Sequence, residues 1–435
     1  MPPPAQLVRA IGRWSLAALV LNSIIGSGVF GLPSVTAKHL GTASPWAYLI
    51  AAAGVAAIMA CFAEVASRFR EAGGPYLYAQ AAFGRLAGIQ MGWLAWLVRI
   101  TAFAANANLF VVYLAEFWPQ AETPFARVLV LALVLGMHAT VNYMGVGAGA
   151  GQSNLFIVAK LGALAIFIVA GAIFLSTTRG SPAPAQLPAA GGAGGWLEAV
   201  LLLVYAYGGF EAALIPMAEA KDPQRDAPFA LFIALAVCTV VYTSIQIVVL
   251  GTLENAAASP RPLADAARAF LGDNGASLIA LAGLFSLYGY MASAMLNAPR
   301  LTFAFAERGD FPSFFAAIHP RFHTPYISIA VFYVLVLGLA VAGSFEWNAT
   351  LSAVARLFTY GAVCLALLRL RKTATIAPVF RLPAAPAVVA VGIVFCVVVA
   401  SRMGMSELKI LVATAAIALV NWLWVRRRPL PTRSD

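Results

Sequence analysis

The sequence predicts an all-α polytopic membrane protein of 12 transmembrane helices, and three observations carry that prediction. Of 435 residues, 62% are hydrophobic and 10% charged, where soluble domains hold about a quarter charged residues. Apolar runs of roughly 20 residues, each long enough to cross a hydrocarbon core, recur along the whole chain. The basic residues also sort by loop. With the N-terminus inside, 18 of the 28 Lys and Arg fall in inner segments and seven in outer ones, while Arg99, Lys160 and Arg356 lie within spans. That excess orients both termini toward the cytoplasm. The net charge of +11 therefore reads as topology and contact with anionic headgroups, not as a nucleic-acid face.

The spans follow in order. The first, residues 14–37, contains N-S-I-I-G-S-G-V-F-G-L-P, Asn22 to Pro33. A membrane helix satisfies its backbone internally, so Gly-Ser-Gly followed by Gly and Pro predicts that this segment unwinds near its middle. It has no small-residue cleavage site and reads as a retained span, not a signal peptide. The second (44–67) and third (86–117) follow, the third with Arg99, Phe103, Asn106 and Phe110 on one helical face. After the fourth (125–143), the fifth (152–177) carries Lys160 roughly two turns inside. A Pro/Ala/Gly connector, Ser176 to Gly195, leads to the sixth (196–219).

The sixth span repeats the anomaly of the first in V-Y-A-Y-G-G-F-E-A-A-L-I-P, Val204 to Pro216. Its position in the chain makes the two broken segments run in opposite directions. Interrupted helices at matching places in inverted halves point to a transporter's binding site. Spans at 228–253, 276–305, 326–343, 348–369, 386–401 and 407–425 complete the set, in a single transmembrane domain covering 1–435. Cys61, Cys238, Cys364 and Cys396 sit in apolar spans without pairing or metal-ligand spacing and are expected to pack. Neither H-E-x-x-H nor G-x-S-x-G occurs, so an enzyme is not expected, and no metal or cofactor is called for.

At these residues the chain resembles the amino acid–polyamine–organocation superfamily of permeases. The likeness rests on G-S-G-V-F-G-L-P, E-A-G-G-P-Y-L-Y-A (Glu71 to Ala79), Y-G-G-F-E (Tyr207 to Glu211), N-A-P-R-L-T-F-A-F-A-E-R-G (Asn297 to Gly309) and H-P-R-F-H-T-P (His319 to Pro325). It implies a five-plus-five inverted-repeat transporter fold with discontinuous helices 1 and 6. The repeats would cover approximately 14–177 and 196–369, with extra helices over 386–425.

The resemblance and the residue chemistry agree on a zwitterion site. Amides of Gly26, Ser27 and Gly28 at an unwound helix end suit a carboxylate. By similarity to the family, carbonyls of Ile24, Ile25, Tyr205, Ala206 and Gly208, beside Tyr207, suit the ammonium group. Lys160 falls where several sodium-independent relatives hold a lysine in place of a coupling cation, between the first and eighth spans, with Ser293 a second partner. Glu211 is expected to brace the second break. Arg99 is expected to pair with Glu64 or Glu211, and Arg356 to be structural near a span end. Tyr205, Tyr207, Phe210 and Tyr288 are aromatic gate candidates.

Ala206, Gly208 and Gly209 leave space without an acidic partner, which favours a neutral substrate. The resulting expectation is a secondary amino-acid transporter of the cell inner membrane, working by alternating access. It is sodium-independent and proton-coupled, and needs no obligate protein partner. An uncoupled exchanger, a cationic amino acid or polyamine permease, and a membrane amino-acid sensor are the alternatives.

Overall fold

The computed structural model describes residues 12–69, 74–145, 150–177, 192–213, 222–373 and 378–426. Outside them lie Arg9, Arg70, Arg179, Lys221, Arg427, Arg428 and Arg433, most of the Pro/Ala/Gly connector, the Glu71 end of its motif, and the end of the sixth span through Pro216. Regular structure among the described residues is helical throughout.

Two helices, α1 (Arg13–Ile24) and α2 (Ser27–Leu40), divide the first predicted span where the glycines stand. A tight 3-10 turn then leads into α3 (Ser44–Ala66). Next come α4 (Gly74–Phe83), α5 (Arg85–Leu114), α6 (Pro124–Tyr143) and α7 (Ala150–Thr177). The sixth predicted span is likewise divided, into α8 (Ala193–Tyr207) and α9 (Phe210–Ala213). They are followed by α10 (Pro223–Thr252), α11 (Pro262–Glu307), α12 (Tyr326–Ala342), α13 (Phe345–Thr373), α14 (Ala385–Ala400) and α15 (Met405–Val425). Nine helical stretches among the described residues are long and apolar enough to cross a membrane, and α12 and α14 are shorter apolar helices.

Two helical pieces were not expected. One is α4, between the second and third spans. The other precedes the long part of α11, where Gly272 at φ +69° interrupts the helix. This leading piece buries Leu263, Ala264, Ala266 and Ala267. Its polar side is tied through Arg268 to Glu116 and Asp265. An amphipathic segment of this kind is too short and too charged to register as a span.

Packing brings the two broken helices together. α1 lies on α10, α2 on α8, and α5 between α11 and α13. Several charges inside the bundle are matched. Glu64 on α3 accepts from Arg68 (3.0 Å), from Arg371 Nε (2.9 Å) and from the Leu382 amide (2.8 Å). After α11, Asp310 accepts from Arg85 Nε (2.6 Å) and Tyr76, and its carbonyl accepts from Asn421 (2.7 Å). Burial and the Asp310 carboxylate hold the Tyr76 phenol above its usual range.

Candidate functional site

The two glycine breaks abut. α1 ends at Ile24, Ile25 and Gly26 leave helical geometry, and α2 restarts at Ser27 without a side-chain cap. In the second break Gly209 stands at φ +111°, and a Cβ there would lie 2.2 Å from the Ser23 carbonyl oxygen. Only glycine meets both conditions. A Cβ at Gly28 would lie 2.9 Å from Ala206 Cα, so this glycine admits the α8 backbone rather than a ligand. Gly26 differs. A Cβ there would sit at ordinary contact distance, 3.8 Å from Tyr290 Cδ2 and 4.0 Å from Asn106 Oδ1, so its open side faces α5 and α11.

Most of the freed carbonyls are already engaged. Lys160 Nζ donates to Ile25 O at 2.6 Å and to Asn22 Oδ1 at 2.8 Å, which pins the first break to α7. The Tyr242 hydroxyl on α10 stands 3.2 Å from Ile24 O and 3.3 Å from Ala206 O, bridging the two breaks. Tyr205 O accepts from the Gly208 amide at 3.2 Å. An ammonium group approaching Ile24, Ile25, Tyr205 or Ala206 therefore meets a second lone pair, not a vacant carbonyl. Ser293, the other expected partner of Lys160, is exposed and accepts from Asn297 at 3.4 Å instead.

Side chains of three helices converge beside Gly26. Ser27 Oγ and the Tyr205 hydroxyl are 2.6 Å apart, and Asn106 Nδ2 donates to the same hydroxyl at 3.1 Å and to Ala102 O at 2.7 Å. Asn106 is 1% exposed, and its Oδ1 has no hydrogen-bond partner among the described residues. A buried acceptor free to take a further hydrogen bond thus stands beside the start of α2. Phe345 lies edge-on to Tyr205 at 6.3 Å, and a Cβ at Gly31 would overlap its ring, so Phe345 covers this group on the side of the α2 C-terminus.

Glu211 braces the second break as expected, but with a different partner. Its carboxylate accepts from Arg356 Nη1 (2.5 Å), the Tyr360 hydroxyl (3.0 Å) and the Gly209 amide (2.9 Å). Arg356 is 5% exposed within α13, well away from the end of that helix. Its guanidinium occupies the space a side chain at Gly208 would need, 2.2 Å from such a Cβ. The room read from Ala206, Gly208 and Gly209 is thus taken by Gly28, Arg356 and Ser23. Arg99 pairs with neither Glu64 nor Glu211, because Arg371, Arg68 and Arg356 hold those carboxylates at shorter range.

The other gate candidates serve as packing. Phe210 is fully buried against Phe62 and Tyr360. Tyr207 is fully buried and donates to Tyr48 O at 3.1 Å. Tyr288 turns to His138 on α6, whereas Tyr290, two residues on, faces the first break. Asn22, Tyr242, Tyr290 and Phe345 were not singled out from the sequence. Asn22 carried a signal, as an amide one turn before the break. A lone tyrosine in an apolar span carries none.

A family model described as amino acid permease matches residues 11–422, and the chain belongs to that family. It is 25% identical to the methylthioribose transporter of Bacillus subtilis (strain 168), over 98% of this chain and 95% of that protein. The branched-chain amino acid permease BcaP of the same organism is 24% identical over 97% and 94% of the two chains. A putative arginine/ornithine antiporter, also from Bacillus subtilis (strain 168), is 28% identical over 74% of each.

Proposed function

We propose that this permease is a secondary active transporter of neutral amino acids, cycling by alternating access around the paired breaks. Its twelve spans would form two inverted five-helix repeats and an extra pair in the cell inner membrane, with both termini cytoplasmic. The observation that carries the substrate reading is the juxtaposition at Gly26. Uncapped amides at the start of α2 suit a carboxylate, and the orphan Asn106 Oδ1 suits an ammonium group. Both stand beside Gly26, where a Cβ would lie 4.0 Å from Asn106 Oδ1, close enough for one small zwitterion to meet both.

Neutral side chains are favoured because Glu211, the carboxylate nearest the second break, is already shared by Arg356 and Tyr360. The branched-chain permease among the relatives supports this, and the arginine/ornithine antiporter supports the cationic alternative. Sodium independence rests on Lys160, whose ammonium holds Ile25 O and Asn22 where a coupling cation would otherwise do so. Proton release from that lysine would free the first break and give symport. A lysine that keeps its proton would give exchange.

The test is a thermal-shift screen of purified protein against the amino acids and polyamines, because a ligand of the native state raises apparent stability. Leucine, alanine or serine should stabilise more than arginine, lysine or putrescine, and carboxyl esters should not stabilise at all. Stabilisation by the esters would remove the role of the α2 amides.

A further inference from the structure

Arg99 sits in the middle of α5, roughly two turns from Asn106 on the same helical face. It makes no hydrogen bond or ion pair among the described residues. The other charges inside the bundle do: Glu64 with Arg371, Glu211 with Arg356, and Lys160 with Asn22 and Ile25. Arg99 lies in the electrostatic field of Glu211, Arg356 and Tyr290, and Tyr290 borders the open side of Gly26. It is also half-buried rather than sealed. An unpaired guanidinium within a span belongs on the bundle interior, since hydrocarbon would not tolerate it.

The charge balance follows from these partners. Glu211 and Arg356 cancel, so Arg99, together with the Lys160 ammonium on the first break, leaves the space beside the breaks with a net positive charge. A like-charged, low-dielectric cavity repels cations and concentrates anions. The guanidinium also offers a planar set of donors that fits a carboxylate.

We infer that Arg99 is a specificity-determining residue. It keeps cationic amino acids and polyamines out of the central site and favours substrates bearing an extra carboxylate over those bearing an extra ammonium. This rests on the amino-acid site proposed at Gly26 but does not follow from it, because a neutral-substrate site needs no arginine.

The experiment measures competition by leucine, lysine and glutamate for one radiolabelled neutral substrate in proteoliposomes, for the wild type, Arg99→Gln and Arg99→Lys. At the roughly 10 Å that seven helical residues span and an effective dielectric near 20, one charge changes binding roughly tenfold. In Arg99→Gln the lysine-to-leucine affinity ratio should rise by about that factor and the glutamate-to-leucine ratio should fall by it. Arg99→Lys should restore both ratios. A merely structural arginine would weaken all three competitors together and leave the ratios fixed, which overturns the inference. A wild type that binds lysine or putrescine as tightly as leucine also overturns it, even if Arg99→Gln does not fold. A wild type that binds no amino acid overturns the site itself, whereas leucine binding with unmoved ratios overturns only the role of Arg99.

Discussion

Replacing Lys160 by methionine keeps the stem and removes the ammonium group. Lys160 is 6% exposed, so water does not substitute freely for what is lost. Two charge-assisted hydrogen bonds disappear, to Ile25 O at 2.6 Å and Asn22 Oδ1 at 2.8 Å, each contributing about 1.5–3 kcal/mol. Ile25 is not part of a helix, so its carbonyl has no intrahelical donor to return to. If half of the gross loss falls on the geometry of the first break, the competent arrangement is destabilised by about 2 kcal/mol. Apparent affinity scales with the competent fraction. The expected result is a roughly thirtyfold weaker substrate Kd in Lys160→Met, measured by titration calorimetry on protein that remains monodisperse.

Transport gives the second readout. Uptake by the wild type into proteoliposomes should be unchanged when sodium is replaced by choline, and an inward proton gradient should raise it. Lys160→Met should lose the response to the gradient. Strict sodium dependence of the wild type would refute the reasoning, as would a Lys160→Met protein that binds substrate with wild-type affinity. Gradient-independent exchange with an inactive Lys160→Met would keep the lysine as a fixed cation and remove proton coupling.

Three further predictions follow from the same geometry. Gly209→Ala places a methyl group into the Ser23 carbonyl at a positive φ and should cost at least about 3 kcal/mol, read as a large fall in Tm or loss of monodisperse protein. Arg356→Met leaves the half-buried Glu211 without its cation, so a loss of about 3 kcal/mol, the low end for a buried pair, is expected. Glu211→Gln should cost less, because the amide oxygen can still accept from Tyr360, and the two Tm values should rank accordingly. Tyr242→Phe removes the hydroxyl between Ile24 O and Ala206 O and should weaken substrate binding about tenfold, for one hydrogen bond of ~1 kcal/mol or slightly more.

What the sequence could convey about this site depended on the kind of signal. Glycine pairs inside apolar spans are local anomalies, and the chain unwinds at both of them, at Ile25–Gly26 and at Gly208–Gly209. Lys160 was legible for a similar reason, since an ammonium group in an apolar run needs a partner. Partner choice was not legible. Glu211 meets Arg356 and not Arg99 because the rotations of α5 and α13 decide which guanidinium arrives, and residues 145 apart carry no mark of that. Tyr242 and Tyr290 look like any interfacial tyrosine until the packing of α10 and α11 turns them inward.

The glycines misled in an instructive way. A missing Cβ suggests room for a ligand, yet at positions 28, 208 and 209 the room is filled by Ala206, Arg356 and the Ser23 carbonyl. Of the four, Gly26 has space beside it that is shared with an unsatisfied polar atom. The motif therefore does two separate jobs. Most of its atoms let two unwound segments pack against each other, and Lys160, Tyr242 and Glu211 supply the hydrogen bonds those segments give up. The α2 amides and Asn106 are the atoms to which the proposed site assigns ligand recognition. Substitutions at Gly28 or Gly209 should consequently abolish binding by collapsing the scaffold, for every substrate alike. Asn106→Ala, which leaves both breaks packed, should weaken binding of amino acids while sparing Tm, and that separation distinguishes a recognition residue from a structural one here.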